Sequence, residues 1–324
     1  MLKEMRKNEP LVSVLMPTFN EEKHIKNIIN DFLAQSIKNI ELIIVDGKST
    51  DQTQKIIKTY KNKKIKLFEN KKRKTPYALN IGLNNAKGKY FIIIGAHTRV
   101  PKNFLEKNLK SIAKEPKEVV GVGGRLEQTK NHNKFGKAVD YVTKTLLGGG
   151  VSKHRYSNKK QYADTIVFGL YDRKKVGKTR FDTKFIIGQD LEFNIQLIKQ
   201  GKKLLFDPTI TNKYISRSDS KKLRKQMWNY GVARMKIMQK HKNTKLMNLI
   251  PLFFAAYVIL VIPLSIIHWL FAIPAGLFLS SLILFSLGQP KTYFNNIKAY
   301  WIIWTRFSFG ELKQLFFNKR NNYR

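Results

Sequence analysis

Cysteine is absent from the 324 residues, which excludes disulfides and all-cysteine metal sites and leaves the cellular compartment open. Acidic residues are scarce: 22 Asp and Glu stand against 61 Lys and Arg, a formal charge of +39. Such a charge attracts polyanions, whether nucleic acid, anionic lipid head groups or phosphorylated substrates, and speaks to association rather than fold. Runs such as Lys61-Asn62-Lys63-Lys64 also read as plain solvated faces. There is no internal repeat and no Gly/Ser linker. Residues 1–10 form a polar tail without the apolar core of a signal peptide, so the domain that follows is expected in the cytosol. Between Leu249 and Gly288 there is no Lys, Arg, Asp or Glu at all.

What is present divides by composition. Hydrophobic residues make up 43%, enough to build a packed core. From residue 11 to about 240, short apolar runs alternate with amphipathic stretches. Leu11–Met16 reads as a strand stopped by Pro17, and Glu41–Val45 as a second, buried strand ending at Asp46-Gly47. Between them, Ile25, Ile28, Ile29, Phe32 and Leu33 share one face at helical spacing. Thr50–Tyr60 predicts a helix capped by Ser49 or Thr50, Ile65–Phe68 a short strand, Thr75–Asn85 a helix and Tyr90–Ile94 a fourth strand. The alternation implies right-handed βαβ units and a mostly parallel, Rossmann-like sheet, with ligands outside the carboxyl ends of its strands.

Three segments fall at those ends: Pro17-Thr18-Phe19-Asn20-Glu21-Glu22, Asp46-Gly47-Lys48-Ser49-Thr50-Asp51 and Gly95-Ala96-His97-Thr98. Singly each reads as turn chemistry, with Asn20 capping a helix. Together they offer a carboxylate for a nucleobase or ribose and a first loop whose N–H groups and Asn20 side chain face the same ligand. Lys72, Arg73 and Lys74 add cations for a diphosphate. Leu146–Val151 reads as a flexible loop, either shaping the acceptor side or a simple turn, and His154 and Arg155 as phosphate contacts or solvated side chains.

The ordered set resembles family 2 glycosyltransferases with the GT-A fold, and within them the bacterial subgroup of succinoglycan and exopolysaccharide synthesis. Val12–Glu22 and Ile43–Thr53 carry it, followed by Pro76–Gly82, Ala86–Gly88, Gly95–Thr98, Val122–Gly124, Asp164–Gly169, Gly188–Asn194 and Gln226–Gly231. The resemblance implies that Pro17, Thr18, Asn20, Glu22, Asp46, Ser49, Lys74 and Ala96 line a nucleotide-sugar site. Asp46 would meet the base, most often uracil, with Asp51 in the same loop. Asp190 would be the general base of an inverting transfer. The alternative for Asp190 and Glu192 is a solvated helix N-terminus, where acids are favoured. Direct displacement at an anomeric carbon needs one such carboxylate, without the second that retaining hydrolysis uses.

The family's loop after the fourth strand normally opens on an aspartate and helps hold a divalent cation, Mn²⁺ or Mg²⁺. Here Gly95 occupies that position, and Ala96 and His97 follow. His97 is left either as a metal ligand suited to Mn²⁺, as a phosphate contact, or as a packed side chain. Reduced activity, basic residues in place of the ion, and a catalytically impaired homologue all stay open.

The charge-free stretch 249–288 exceeds the roughly 20 apolar residues that span a bilayer. It predicts a helical hairpin bent near His268–Pro274, with basic flanks on the cytosolic side. Alternatives are a single long span or a re-entrant pair. Residues 297–309, with Tyr300, Trp301, Trp304, Phe307 and Phe309, suit the membrane interface. The expected protein is therefore a multi-pass cell-membrane enzyme: a GT-A domain over 11–240 facing the cytoplasm and a membrane-associated region over 241–324. Its partners would be a nucleotide-sugar, a polyprenyl-diphosphate-linked saccharide acceptor and membrane lipids. The basic stretch Lys213–Lys245 could meet that diphosphate or lipid head groups. The alternative class is a membrane-anchored basic protein that binds nucleic acid or anionic lipid. It leaves Asp46, Asp190 and their loops unexplained, so nucleic acid is not expected as a partner.

Overall fold

The computed structural model describes residues 10–128, 133–149, 157–214, 219–242 and 246–317. Two compact units divide the chain, Met1–Glu127 with Lys153–Ile215, and Gln128–Ser152 with Ser216–Arg324. The second unit thus takes in residues 128–152 and the helix that begins at Ser220, on the N-terminal side of the expected boundary at 240.

The chain opens with β1 (Val12–Thr18), α1 (Ile25–Leu33), β2 (Ile40–Asp46), α2 (Thr53–Thr59), β3 (Ile65–Glu69), α3 (Thr75–Asn85) and β4 (Tyr90–Ile93). β2 is buried along its whole length, as a strand covered on both faces must be, and α1 turns Ile25, Ile28, Ile29 and Phe32 inward. Pro17 does not stop β1. β4 pairs only with Val12–Leu15, so the missing N–H of Pro17 falls where β1 has β2 alone as its neighbour. α2 begins at Thr53, later than expected, and neither Ser49 nor Thr50 caps it; Asp51 Oδ1 accepts from Thr53 N at 2.9 Å instead.

Then come β5 (Thr98–Arg99), α4 (Phe104–Ala113), β6 (Val119–Gln128), α5 (Lys134–Val142) and α6 (Leu146–Gly149). β7 (Gln161–Tyr162), β8 (Leu170–Asp172), α7 (Arg173–Val176), α8 (Gln189–Lys199) and β9 (Lys203–Tyr214) follow. One sheet runs in the order β3-β2-β1-β4-β8-β6-β9-β5, with β7 on β9. It is parallel across β3-β2-β1-β4 and antiparallel where β8 joins β4 and β6 and where β5 and β7 join β9, so the sheet is mixed rather than mostly parallel. Apolar clusters cover both faces. One buried charge holds the parallel half together. Glu41 accepts from Ser13 Oγ (2.6 Å), Lys66 Nζ (2.6 Å) and Lys87 N (2.7 Å). Burial would raise its pKa, but these donors hold it below its ordinary value.

The second unit contains α5, α6, α9 (Ser220–His241), α10 (Ile250–Ile267), α11 (Ile273–Leu287) and α12 (Tyr293–Phe317). The expected loop at Leu146 is the helical turn α6, while Val151, His154 and Arg155 lie outside the described residues. α9 and α12 approach to backbone contact. A Cβ on Gly231 would stand 2.0 Å from Phe307 O, and one on Gly310 would stand 2.4 Å from Trp228 O. Tyr300 is buried and meets Thr145 Oγ1 at 2.9 Å, and Trp304 donates to Leu147 O at 2.9 Å, so these two aromatics face inward; Trp301 is exposed.

α10 and the stretch Trp269–Leu287 are long and apolar enough to cross a membrane, and their side chains are largely uncovered. The turn between them satisfies its own polar groups. Tyr257 Oη donates to Phe271 O (2.7 Å) and accepts from Ala275 N (2.9 Å), and His268 Nδ1 accepts from Leu270 N (3.2 Å). Backbone placed in hydrocarbon requires such internal pairing.

Candidate active site

The parallel half of the sheet ends in loops that brace one another. Asp46, nearly buried, closes β2 as the hub. Its Oδ1 accepts from Ser49 N (2.9 Å) and Gln54 Nε2 (2.6 Å), and its Oδ2 from Ser49 Oγ (2.5 Å). A carboxylate has about four acceptor positions, so one is left on Oδ2. Gly47 N donates to Thr18 O (2.8 Å), which ties β2's end to β1's.

The loop after β1 crosses over in the same way. Asn20 is held at φ 53°, a left-handed conformation that Asn tolerates. Its N–H donates to Ser49 Oγ (2.9 Å) and its Oδ1 accepts from Thr50 N (2.9 Å). Asn20 therefore braces the second loop and does not cap α1, whose N-cap is His24. Glu22 N donates to Asp51 Oδ2 (3.1 Å) while Glu22 Oε2 accepts from Gln52 N (3.0 Å). Burial would raise the Asp51 carboxyl, but the Thr53 hydroxyl, Thr53 N and Glu22 N together draw it below its ordinary range.

The loop after β4 joins through Glu21. Glu21 Oε1 lies 3.1 Å from His97 Nδ1, and Glu21 N donates to Thr53 Oγ1 (2.8 Å). Ala96 is packed in the core, so its side chain is covered. Pro17 is half-buried in β1. Lys72, Arg73 and Lys74 are exposed on the turn after β3. Asn70 fixes that turn: its N donates to Asp46 O (2.7 Å), and its Nδ2 donates to Lys74 O (3.0 Å).

Asp190 comes from elsewhere. Gly188, at φ 74°, turns the chain into α8, and Asp190 is its second residue. Burial pushes its carboxyl up, and the N–H groups of Leu191 and Asp190 itself oppose that only partly. Tyr171 on β8 fixes the helix. Its hydroxyl donates to Asn194 Oδ1 (2.8 Å), and Asn194 Nδ2 donates to Thr165 Oγ1 (3.0 Å). The Tyr171 ring stacks on Phe91 at 5.1 Å and meets Phe193 edge-on at 5.6 Å. Burial first, and the Asp190 charge second, raise the Tyr171 pKa. Glu192 is fully buried and accepts from Gln196 Nε2 (2.7 Å), so it is no solvated helix-end acid.

The structure thus gathers Thr18, Asn20, Glu22, Asp46, Ser49 and Asp51 into one braced cluster, with His97 attached through Glu21 and Lys74 through Asn70. Asp190 is positioned separately on α8. Gln54, Glu21, Thr53, Asn70 and Tyr171 were not picked out from sequence. Gln54 sits eight residues after Asp46, the second residue of α2, and only the fold reveals that it reaches back.

A divalent cation would need donors at the end of β4. Gly95 offers none, and among the described residues no group of three or more His, Asp or Glu is arranged to hold an ion. The donor set does not fit a carboxylate-held metal.

A mixed α/β sheet with loops braced at the ends of its parallel strands has the architecture of the GT-A fold. Residues 13–179 match the sequence profile of Glycosyl transferase family 2, and the chain belongs to that family. It is 40% identical over 240 residues to dolichyl N-acetyl-alpha-D-glucosaminyl phosphate 3-beta-D-2,3-diacetamido-2,3-dideoxy-beta-D-glucuronosyltransferase of Methanococcus voltae, across 71% of this chain and 74% of that one. It is 26% identical over 294 residues to succinoglycan biosynthesis protein ExoA of Rhizobium meliloti, across 86% of this chain and 87% of that one. Its fold is similar to the mannosyltransferase PcManGT from Pyrobaculum calidifontis, solved with GDP-Man and Mn²⁺: TM-score 0.62 and 18% identity, over 96% of this chain and 88% of that one. The chain is a glycosyltransferase, and two of its helices are apolar and long enough for a membrane.

Proposed function

We propose that the protein transfers a glycosyl group, with inversion, from a nucleotide-sugar to a saccharide carried on a lipid phosphate or diphosphate. The observation that carries this is the braced Asp46 cluster at the ends of β1 and β2, the position where open α/β sheets bind ligands. Asp46, Ser49, Asn20 and Thr18 form the nucleoside end, with Lys74 beside it and UDP as the donor nucleotide. Pro17 and Glu22 support the loop, and Ala96 contributes backbone alone.

Asp190 accepts the proton of the acceptor hydroxyl. The freed oxygen attacks the anomeric carbon opposite the diphosphate, a C–O bond forms there, and the bond to the nucleoside diphosphate breaks. The raised Asp190 carboxyl suits a base that must hold and release a proton. The lipid acceptor is supported by the Methanococcus voltae relative, whose name specifies a dolichyl phosphate acceptor, and by the apolar α10 and α11. Residues 11–240 would supply the chemistry and 241–324 the membrane attachment, with both basic flanks of the hairpin on the cytoplasmic side of the cell membrane.

The test is a panel of radiolabelled UDP- and GDP-sugars offered to membranes that contain the protein. Label should enter lipid-extractable material and be lost in Asp190→Asn. Incorporation unchanged by that substitution removes Asp190 as the base. No incorporation from any donor favours a catalytically impaired homologue.

A further inference from the structure

The second unit brings two separate basic segments together at the end of α11. Tyr141, in the last turn of α5, donates its hydroxyl to Phe285 O at 2.7 Å. A Cβ on Gly288 would stand 2.1 Å from that hydroxyl, so glycine leaves the room it needs. α5 thus meets the last turn of α11, and it packs beside the turn Pro290–Thr292 that leads into α12. Lys134 and Lys137 share one face of α5. They precede Tyr141 by seven and four residues, roughly 10 and 6 Å along the helix. From α12, Lys298 Nζ stands 5.7 Å from the ring centroid of Phe135 on α5. Lys291 lies in the connecting turn, and all four lysines are exposed.

Few carboxylates answer this charge. The sequence of the unit, 128–152 with 216–324, holds three. Asp219 caps α9 and Glu311 is buried, which leaves Asp140 on α5 to offset a single charge. The same surface is aromatic. Phe294, Lys298 and Trp301 follow one another in one stripe of α12, and the two rings are 83% and 44% exposed. Exposed rings flanking cations at the end of an apolar helix are the composition of a membrane interface. Head groups fill roughly 5–8 Å beyond the hydrocarbon on each side, a depth that long lysine side chains on α5 can meet. We propose that Lys134, Lys137, Lys291 and Lys298 form a docking surface for the head groups of anionic phospholipids, with Phe294 and Trp301 in the interface beside them. A cation near an anionic membrane surface gains about fivefold in partitioning, which a zwitterionic head group does not supply. The hairpin provides the hydrocarbon anchor, and this surface selects the lipid class around it. The proposal rests on the membrane reading of α10 and α11.

The full chain in detergent tests it. Equal amounts of phosphatidylglycerol and phosphatidylcholine are added, and the ratio that co-purifies is measured. The wild type should hold phosphatidylglycerol in about fivefold excess or more, and in smaller excess at about 0.5 M salt. Lys134→Gln, Lys137→Gln, Lys291→Gln and Lys298→Gln combined should bring the ratio within about twofold of unity, whereas Lys→Arg at the same positions should keep the excess. Lys61→Gln, Lys63→Gln, Lys114→Gln and Lys117→Gln combined remove as much charge from the first unit and should leave the excess in place. Equal retention of the two lipids by the wild type overturns the proposal. So does loss of the excess in the first-unit variant, since the effect is then one of net charge. Displacement of phosphatidylglycerol by an equal amount of a polyprenyl phosphate also overturns it, because the surface then serves the acceptor. Retention of neither phospholipid removes the membrane reading itself, and this inference with it.

Discussion

In the proposed transfer the chemistry turns on Asp190, and its environment gives a signed expectation. Burial raises its carboxyl above the ordinary 3.8, and only the ionised form accepts a proton. The transfer rate should therefore fall as pH drops through that raised value, so the acid limb of kcat lies above pH 3.8. Asp190→Asn should remove the limb and lower kcat by roughly 10²–10⁴-fold, with nucleotide affinity kept. A pH–rate series on both proteins checks it. Asp46 stands out in the sequence because it closes a buried strand, whereas Asp190 is singled out by the family resemblance alone, since by pattern it reads equally as an acid at a helix N-terminus. The partners that hold them were not legible. Gln54 and Asn194 look like ordinary polar helix residues, and Tyr171 like a core aromatic, until the fold brings Gln54 to Asp46 and Tyr171 to Asn194.

Among the elements, α8 and the α9–α12 pair make the sharpest claims. Tyr171→Phe leaves the buried Asn194 Oδ1 without its donor and should cost about 1–3 kcal/mol of unfolding free energy. If the bond also positions Asp190, kcat should fall under conditions where the protein stays folded, while donor KM holds. Chemical denaturation beside steady-state kinetics separates the two effects. On α12, Glu311 is buried with neither oxygen hydrogen-bonded. Burial pushes it up to about 8, and Arg234 only partly opposes this. The folded form thus keeps a proton that the unfolded chain gives up near 4.5. Stability should be greatest below pH 4.5 as far as this group is concerned, and its contribution should decline as pH rises to about 8. Glu311→Gln should abolish that decline and raise the unfolding midpoint at pH 8.5 and above, measured by thermal melts in detergent. The parallel strands could be read from composition because their runs are mostly apolar. The antiparallel half could not, since glycines interrupt β6 and the short β5, β7 and β8 carry little pattern. Pro17 misled for a related reason: whether a proline ends a strand depends on how far its neighbour extends, which no local signal encodes.

For the whole molecule, the decisive contrast is between two modes of membrane attachment. A charge of +39 alone would bind anionic lipid in a salt-sensitive way, whereas exposed Ile262, Ile266 and Ile267 on α10 call for hydrocarbon. The wild type should stay in the membrane pellet after washing with about 1 M salt, where screening is nearly complete. A variant lacking residues 250–287 should be released by the same wash. Retention of that variant would assign attachment to charge. The absence of cysteine also helps here, because a single introduced cysteine at residue 268 reports accessibility with no background.

The reciprocal bracing of the loops after β1 and β2 has a consequence for how such an enzyme can be diversified. Asn20 reads Ser49 and Thr50, and Glu22 exchanges bonds with Asp51 and Gln52. The second loop is also braced from within by Asp46 and Asp51, but each loop takes part of its shape from the other. A loop transplanted alone from a relative would arrive without part of its bracing, so under the proposed function a change of donor nucleotide should require both segments to be exchanged as a pair.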